Sequence, residues 1–323
     1  MITTHINPPY IQEQYLRCLN QVFGNWGDAE KYFWYFHRQT AYPKPDVMVL
    51  KNGEQLLAGS GVNYRRIRFP NGGEAVIGIM SGSWTLPEAR GQGCFTRIIE
   101  ESIQLTAQKG GAMLIAFVTE DNASFRQLAK AGAALFPSAY IFSTPDTSRP
   151  KHAAALRVIE KNEATAKEIQ EKLKTRYVDR LHFVYPSPKD LSDNFFQRAV
   201  PTEVLQDETG SVAVIETKPD TYLLQLFAAD NDETCIANAV NHAFDNNRKF
   251  FMFSTCNDLT DICKELGLGI KPGYVTVLMA DESKLRSAKN ISSDWAGSNS
   301  TPLTQPESEW FLGEWDVQSG DRT

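Results

Sequence analysis

The chain lacks an apolar run approaching the ~20 residues that a membrane-spanning helix needs, so a membrane span is not expected. It lacks a Cys-x-x-Cys pair. Its five cysteines (Cys18, Cys94, Cys235, Cys256, Cys263) are scattered and odd in number, which fits reduced thiols of a cytoplasmic protein better than a disulfide framework or a zinc site. Its five histidines form no His-x-His or His-x-x-x-His pair, so no metal is expected. The start, Met1-Ile2-Thr3-Thr4-His5, has neither the basic residues nor the apolar stretch of a signal peptide. Positive charge is in deficit: 33 Lys and Arg stand against 39 Asp and Glu, a net charge of −6, which argues against a nucleic-acid partner. What is present is ordinary soluble globular composition, 42% hydrophobic and 22% charged, over 323 residues, enough for two average domains.

Periodicity predicts a helix over 9–24, with Tyr15, Leu16, Leu19, Val22 and Phe23 at helical spacing. A second helix is expected over 28–39, with Asp28 as its cap. Its aromatic run, Tyr32 to Phe36, either plugs the core or lines an apolar pocket. A meander of strands follows at 46–50, 56–69 and 75–85, with turns at Asn52-Gly53 and Pro70-Asn71-Gly72-Gly73. Gly59 and Gly61 are expected to weaken the second strand. Gly78 and Gly82 suggest a bulge in the third, or a close approach of another backbone or a ligand. Then come a helix over 94–108, a buried strand over 112–118, a short helix over 122–130 ended by Gly132, and a strand over 139–143. Between the strand ending at Thr85 and the helix starting at Cys94 lies Arg90-Gly91-Gln92-Gly93. Glycines there free the backbone, unpaired N–H groups of the helix start point outward, and Arg90 adds a cation. This is an anion site sized for a phosphate or pyrophosphate.

The polar, turn-rich stretch 144–150 reads as a domain boundary. Beyond it the order strand, helix, strand, helix, strand returns, and residues 257–267 repeat the helix frame of 122–132 at an offset of 267 − 132 = 135. The expected organisation is 1–146, 151–282, and a tail 283–323 whose Trp295, Trp310 and Trp315 pack back on a domain.

The stretch 85–93 resembles the signature of the GNAT superfamily of acyl-CoA-dependent N-acyltransferases, [Q/R]-x-x-G-x-[G/A] between a strand and a helix. Arg90 and Gly93 match, whereas Phe95 stands where the family usually has Gly or Ala. Residues 122–133, beginning Asn122-Ala123-Ser124 and ending Lys130-Ala131-Gly132-Ala133, resemble the family's second motif. The resemblance implies an α/β (α+β) chain of two GNAT-like domains, each a mixed, mostly antiparallel sheet flanked by helices. It implies acetyl-CoA as co-substrate. The backbone of Ser83, Trp84 and Thr85 would bond the pantetheine arm. N–H groups of Gly91, Gln92, Gly93, Cys94, Phe95 and Thr96, with Arg90, would hold the pyrophosphate. Asn122 and Ser124 would lie beside the pantetheine near the thiol. The thioester would sit in a gap between strands 75–85 and 112–118.

The resemblance also implies direct attack of a primary amine on the thioester. The tyrosine that often serves the family as acid is matched here by Leu128, and the inward run Ile79-Met80-Ser81-Gly82-Ser83 carries no carboxylate. Glu120 and Ser83 are the catalytic candidates. Asp121, His37, Tyr35 and Tyr64 are further titratable groups, with Glu120 and Asp121 also readable as helix caps. Cys94 invites a covalent reading, since a helix N-terminus would lower its pKa, but its place suits phosphate binding. In the second half the equivalent turn, 228–233, carries Asp230, Asp232 and Glu233, which would repel a pyrophosphate. The expected protein is a cytoplasmic N-acetyltransferase, monomer or homodimer, acting on a small-molecule or peptide amine without nucleic-acid or membrane partners. A non-catalytic acyl-CoA-binding sensor is the alternative.

Overall fold

The computed structural model describes residues 1–150, 156–289 and 315–322. Contacts divide them into two units, one of Met1–Leu135 with residues 275–289, the other of residues 136–150, 156–274 and 315–322. Trp295 and Trp310 lie outside the described residues.

The first unit runs β1 (Ile2–Ile6), α1 (Gln12–Phe23), α2 (Ala29–Phe36), β2 (Asp46–Asn52), β3 (Gln55–Arg68), β4 (Glu74–Thr85), α3 (Cys94–Gln108), β5 (Met113–Val118) and α4 (Ala123–Lys130). Its sheet has the order β1-β2-β3-β4-β5, antiparallel up to β4 and then parallel, with α3 as the crossover. Side chains alternate along β3, so Gly59 and Gly61 share one face. That face receives α1 and α2: Tyr15, Leu19, Tyr32 and Phe36 form a core with Trp84. A Cβ at Gly59 would stand 2.7 Å from Trp84, and one at Gly61 would overlap the Phe36 ring. The two glycines therefore do not merely weaken β3; they admit the aromatic stripe of α2, which is core and not pocket wall. Gly61→Ala is expected to cost about 1–3 kcal/mol through overpacking, read as a lower midpoint in urea unfolding. Asp28 caps α2 as expected, accepting from the Lys31 N–H at 2.9 Å.

The second unit contains β6 (Ala134–Phe142, from Phe136 onward), β7 (Arg157–Ile159), α5 (Glu163–Arg176), β8 (His182–Phe183), α6 (Pro188–Phe195), β9 (Thr202–Gln206), β10 (Val212–Thr217), β11 (Thr221–Ala228), α7 (Asp232–Asp245), β12 (Lys249–Ser254), α8 (Asn257–Glu265) and the start of β13 (Gly269–Met279). Its sheet order is β6-β12-β11-β10-β9-β7. Here too an antiparallel meander leads into a parallel pair, β11 with β12, crossed by α7. The ends of α4 and α8 are alike. Gly132 and Gly267 both take positive φ, 84° and 74°. Ala133 N–H donates to Leu128 O at 3.1 Å and Leu268 N–H to Cys263 O at 3.0 Å, the same bond 135 residues apart.

β6 follows α4 in sequence yet pairs with β12. The last part of β13 belongs to the first unit, where Thr276 Oγ1 donates to Ala116 O of β5 at 3.1 Å. Helix α9 (Glu282–Ala288), missed by periodicity, is capped by Asp281 and packs its C-terminal carbonyl, Ala288 O, against Gly73.

Residues 315–322 lie in the second unit. The β11–β12 pairing stops at Leu224–Met252, although β11 runs on to Ala228 and β12 to Ser254. Gln318 enters this parting: its Oε1 accepts from Phe227 N–H at 2.8 Å and its Nε2 donates to Phe227 O at 3.3 Å. Ser319 Oγ accepts from Phe253 N–H at 2.8 Å. Trp315 is buried against Phe136, so this late tryptophan does pack back on a domain.

Candidate active site

In the first unit the parallel pair β4–β5 also parts, and here the parting is open. Pairing covers only Ile77–Met113 to Ile79–Ile115. Immediately beyond, β4 bulges: Ser81 lies opposite Gly61 but Trp84 opposite Gly59, so β4 has one extra residue. Gly82 supplies the positive φ, 55°, that the bulge uses. The bulge read from Gly82 is thus present. Gly78 is a close approach instead, because a Cβ there would overlap Thr106 of α3.

The parting opens into a cleft of about 800 Å³. Ser83, Trp84 and Thr85 form one wall, and Arg90, Gly91, Gly93, Cys94, Phe95 and Thr96 its mouth. Asn122 and Ser124 stand on the wall that α4 supplies. Ser83, Trp84, Thr85, Arg90, Gly91, Gly93, Cys94, Phe95, Thr96, Asn122 and Ser124 thus line one cleft, whereas Gln92, Glu120, Asp121, His37, Tyr35 and Tyr64 do not. Gln92 points away, its Nε2 donating to Glu88 O at 2.9 Å and its N–H turned back to Ala89 O at 3.4 Å. Glu120 is exposed and does not line the cleft.

The mouth is built by local sequence. A single 3-10 turn at Pro87–Ala89 ends β4's extension, and Gly91 and Gly93 take φ of 79° and 75°. Gly93 is the cap of α3, and the first helical bond runs from Arg97 N–H to Gly93 O at 3.2 Å. The preceding N–H groups at this helix start have no partner inside the helix and carry its positive dipole end. A Cβ built at Gly91 or Gly93 meets no atom within 4 Å, so these glycines line open space. Arg90 is exposed beside them. Asn122 caps α4, accepting from the N–H and hydroxyl of Ser124 at 3.0 and 2.8 Å. The cap is therefore neither Glu120 nor Asp121; Asp121 takes the hydroxyl of Thr119.

Of the β4 bulge hydroxyls, that of Ser83 lines the cleft, and it is braced by the fully buried Ser60, Oγ to Oγ 2.7 Å. Leu128, 1% exposed, lines the cleft. Cys94 departs from expectation: burial raises its thiol pKa and outweighs the helix start and Arg97, so the nucleophile is not primed. Tyr64 and His37 are outside the lining. The Tyr64 hydroxyl donates to Asp46 at 2.7 Å and burial pushes its pKa far up, while burial lowers that of half-buried His37. Among the described residues, no carboxylate, histidine or tyrosine lines the cleft.

The sequence reading missed the end of α1. Val22 and Phe23 reach the cleft, as do Met80, Ala116, Phe117, Val118 and Gln127. No local signal marks them, since Tyr15-Leu16 is the same kind of adjacent pair on α1 and does not line the cleft.

No curated protein matches the chain significantly. The chain is similar in structure to a GCN5-related N-acetyltransferase from Anabaena variabilis, at 14% identity over 89% of this chain and 75% of that one, with a TM-score of 0.64. It is similar to a tandem GNAT protein from the clavulanic acid biosynthesis pathway, at 12% identity over 87% and 99%, TM-score 0.58. It also resembles Saccharomyces cerevisiae N-myristoyltransferase with bound myristoyl-CoA, at 14% identity over 86% and 82%, TM-score 0.60. The chain thus has a GNAT fold, and its residues 11–123 match the family model described as an acetyltransferase (GNAT) domain.

Proposed function

We propose that the protein is an acyl-CoA-dependent N-acyltransferase whose active site is the cleft of the first unit and whose acceptor is a primary amine. The observation that carries this reading is the coincidence of an anion-binding helix start with a parted parallel strand pair, in one cleft. The α3 start offers N–H groups and Arg90 to a pyrophosphate. The free edge of β4 at Ser83, Trp84 and Thr85 offers backbone groups to an extended pantetheine arm, as it would to an added strand. Asn122 and Ser124 flank that arm from α4. The open space at Gly91 and Gly93 is the room such a ligand needs. The second unit is the non-binding half of a tandem pair, with an acidic α7 start, Asp232 and Glu233, in place of the glycine turn.

A thioester needs a neutral amine held in line, a donor for the oxyanion, and an exit for the thiolate. Ser83 is the donor nearest the bulge, and Ser60 fixes its rotamer. Ser83→Ala is expected to lower kcat by roughly 10- to 100-fold, with the Kd for CoA little changed, measured by thiol release and calorimetry. Because the described residues that line the cleft include no carboxylate, histidine or tyrosine to take the proton, the amine in this reading arrives already neutral. The rate at low amine concentration should therefore rise tenfold per pH unit below the amine's own pKa. An acid limb set by an enzyme group near neutrality would contradict this.

The reaction is tested by thiol release from acyl-CoA with small amines, polyamines, aminoglycosides and peptides. Release dependent on one amine class supports transfer. Tight CoA binding without release across the panel would make the chain a binder of acyl-CoA instead.

A further inference from the structure

The cleft lining combines polar and apolar side chains. Arg90, Thr96, Asn122 and Ser124 lie at the starts of α3 and α4. Away from those two helix starts, apolar lining comes from Val22 and Phe23 on the last turn of α1, Met80 on β4, Val118 on β5 and Leu128 late on α4. Helix α1 follows the β4 bulge. Tyr15 donates its hydroxyl to Gly82 O at 3.4 Å, and Leu19 stands 3.3 Å from a Cβ built at Gly82. One turn later, Val22 and Phe23 reach the cleft.

Tyr15 and Leu19 are wholly buried, whereas Phe23 is 50% exposed. A large ring is thus left half in water on the wall of a cleft. An acetyl group adds a single methyl beyond the thioester carbonyl and would leave most of this apolar wall wet. Leu128 removes the polar hydroxyl that a tyrosine would place there. Ser83 marks where the polar lining of β4 stops.

We propose that the cleft takes a thioester whose acyl group is an aliphatic chain of medium length, with Val22, Phe23, Met80, Val118 and Leu128 as its binding wall. This rests on the reading of the cleft as an acyl-CoA site. Each methylene moved from water onto that wall favours binding by about four-fold. Three buried methylenes suffice for a preference well above tenfold.

The test is calorimetric titration of the full chain with CoA, acetyl-CoA and octanoyl-CoA, for the wild type and Phe23→Asp. The expected Kd for octanoyl-CoA is at least roughly tenfold below that for acetyl-CoA. Phe23→Asp should erase most of that preference, since it places a charge against the chain, and a half-exposed position tolerates the change without unfolding. Thermal melting of the variant checks the fold. Equal or tighter binding of acetyl-CoA, or an octanoyl preference untouched by Phe23→Asp in a folded protein, overturns the proposal while leaving the acyl-CoA site standing. Failure of all three compounds to bind overturns the acyl-CoA reading itself.

Discussion

Gly93→Ile is expected to abolish CoA binding while leaving the protein folded. The residue caps α3 at φ 75°, a left-handed conformation that costs a β-branched residue about 1–2 kcal/mol. That strain is modest beside the stability of a domain. No atom lies within 4 Å of the position a Cβ would take, so no packing clash inside the protein adds to it. The whole side chain instead projects into the space in front of the α3 start. It would deny the anion access to the N–H groups of Cys94, Phe95 and Thr96. Charge-assisted hydrogen bonds to such groups contribute about 1.5–3 kcal/mol each, so losing two lowers affinity by at least roughly 100-fold. Calorimetry with CoA and thermal melting together separate this outcome from simple unfolding: affinity is lost while the melting temperature moves by only a few degrees.

Removing residues 315–323 is expected to unfold the second unit, or to lower its melting temperature by more than roughly 10 °C. The segment holds buried partners for the backbone of both parted strands. Without it, the N–H and C=O of Phe227 and the N–H of Phe253 lose the bonds that Gln318 and Ser319 make. Arg176, its side chain buried, loses Asp316 at 3.4 Å and keeps Asp232 at 2.5 Å and the Phe227 ring at 4.3 Å. Trp315 and Val317, 4% and 0% exposed, leave a hole in the apolar core. Each unsatisfied buried group costs about 1–3 kcal/mol, and their sum approaches the total stability of a domain. Gln318→Ala is the milder version, expected to cost about 2–4 kcal/mol because one side chain serves two backbone groups. Differential scanning calorimetry should resolve the loss as a shift of the transition belonging to the second unit.

Under the proposed function, the two partings account for a ligand entering the first unit and not the second. In the first unit β4 and β5 separate onto a cleft walled by a glycine turn. In the second, the separation of β11 and β12 is bridged by the chain's own residues, and the neighbouring helix start carries Asp232 and Glu233. The acidic start was legible in the sequence, since charge at a helix terminus acts locally. The bridging was not. Gln318 and Ser319 are polar residues with no periodicity, and their meaning depends on strands about 90 and 66 residues earlier in the chain.

The same division runs through the fold. Helix α3 has the bounds read from the sequence, because its glycine start and apolar stripe are local features. Strand β1 was missed: Ile2–Ile6 carries Thr3, Thr4 and His5 and alternates weakly, and it exists because β2 offers it an edge. Strand β6 was read too short, since Pro137 interrupts the pattern; in the structure Pro137 is exposed. In the cleft, the glycine turn and the Asn122 cap were legible as local structure because each is a short motif. The contribution of Val22 and Phe23 was not, because nothing in a helical stripe tells which apolar residue faces a neighbour and which faces a cleft.

The central claim is that this cleft carries acyl transfer and not binding alone. The most direct test follows CoA thiol and acylated amine in the same reaction, by thiol titration and mass spectrometry, for the wild type and Gly93→Ile. The predicted result is one thiol released per amine acylated in the wild type, and neither product in the variant. Tight binding of acyl-CoA by the wild type, with neither free thiol nor acylated amine for any amine class, would contradict it.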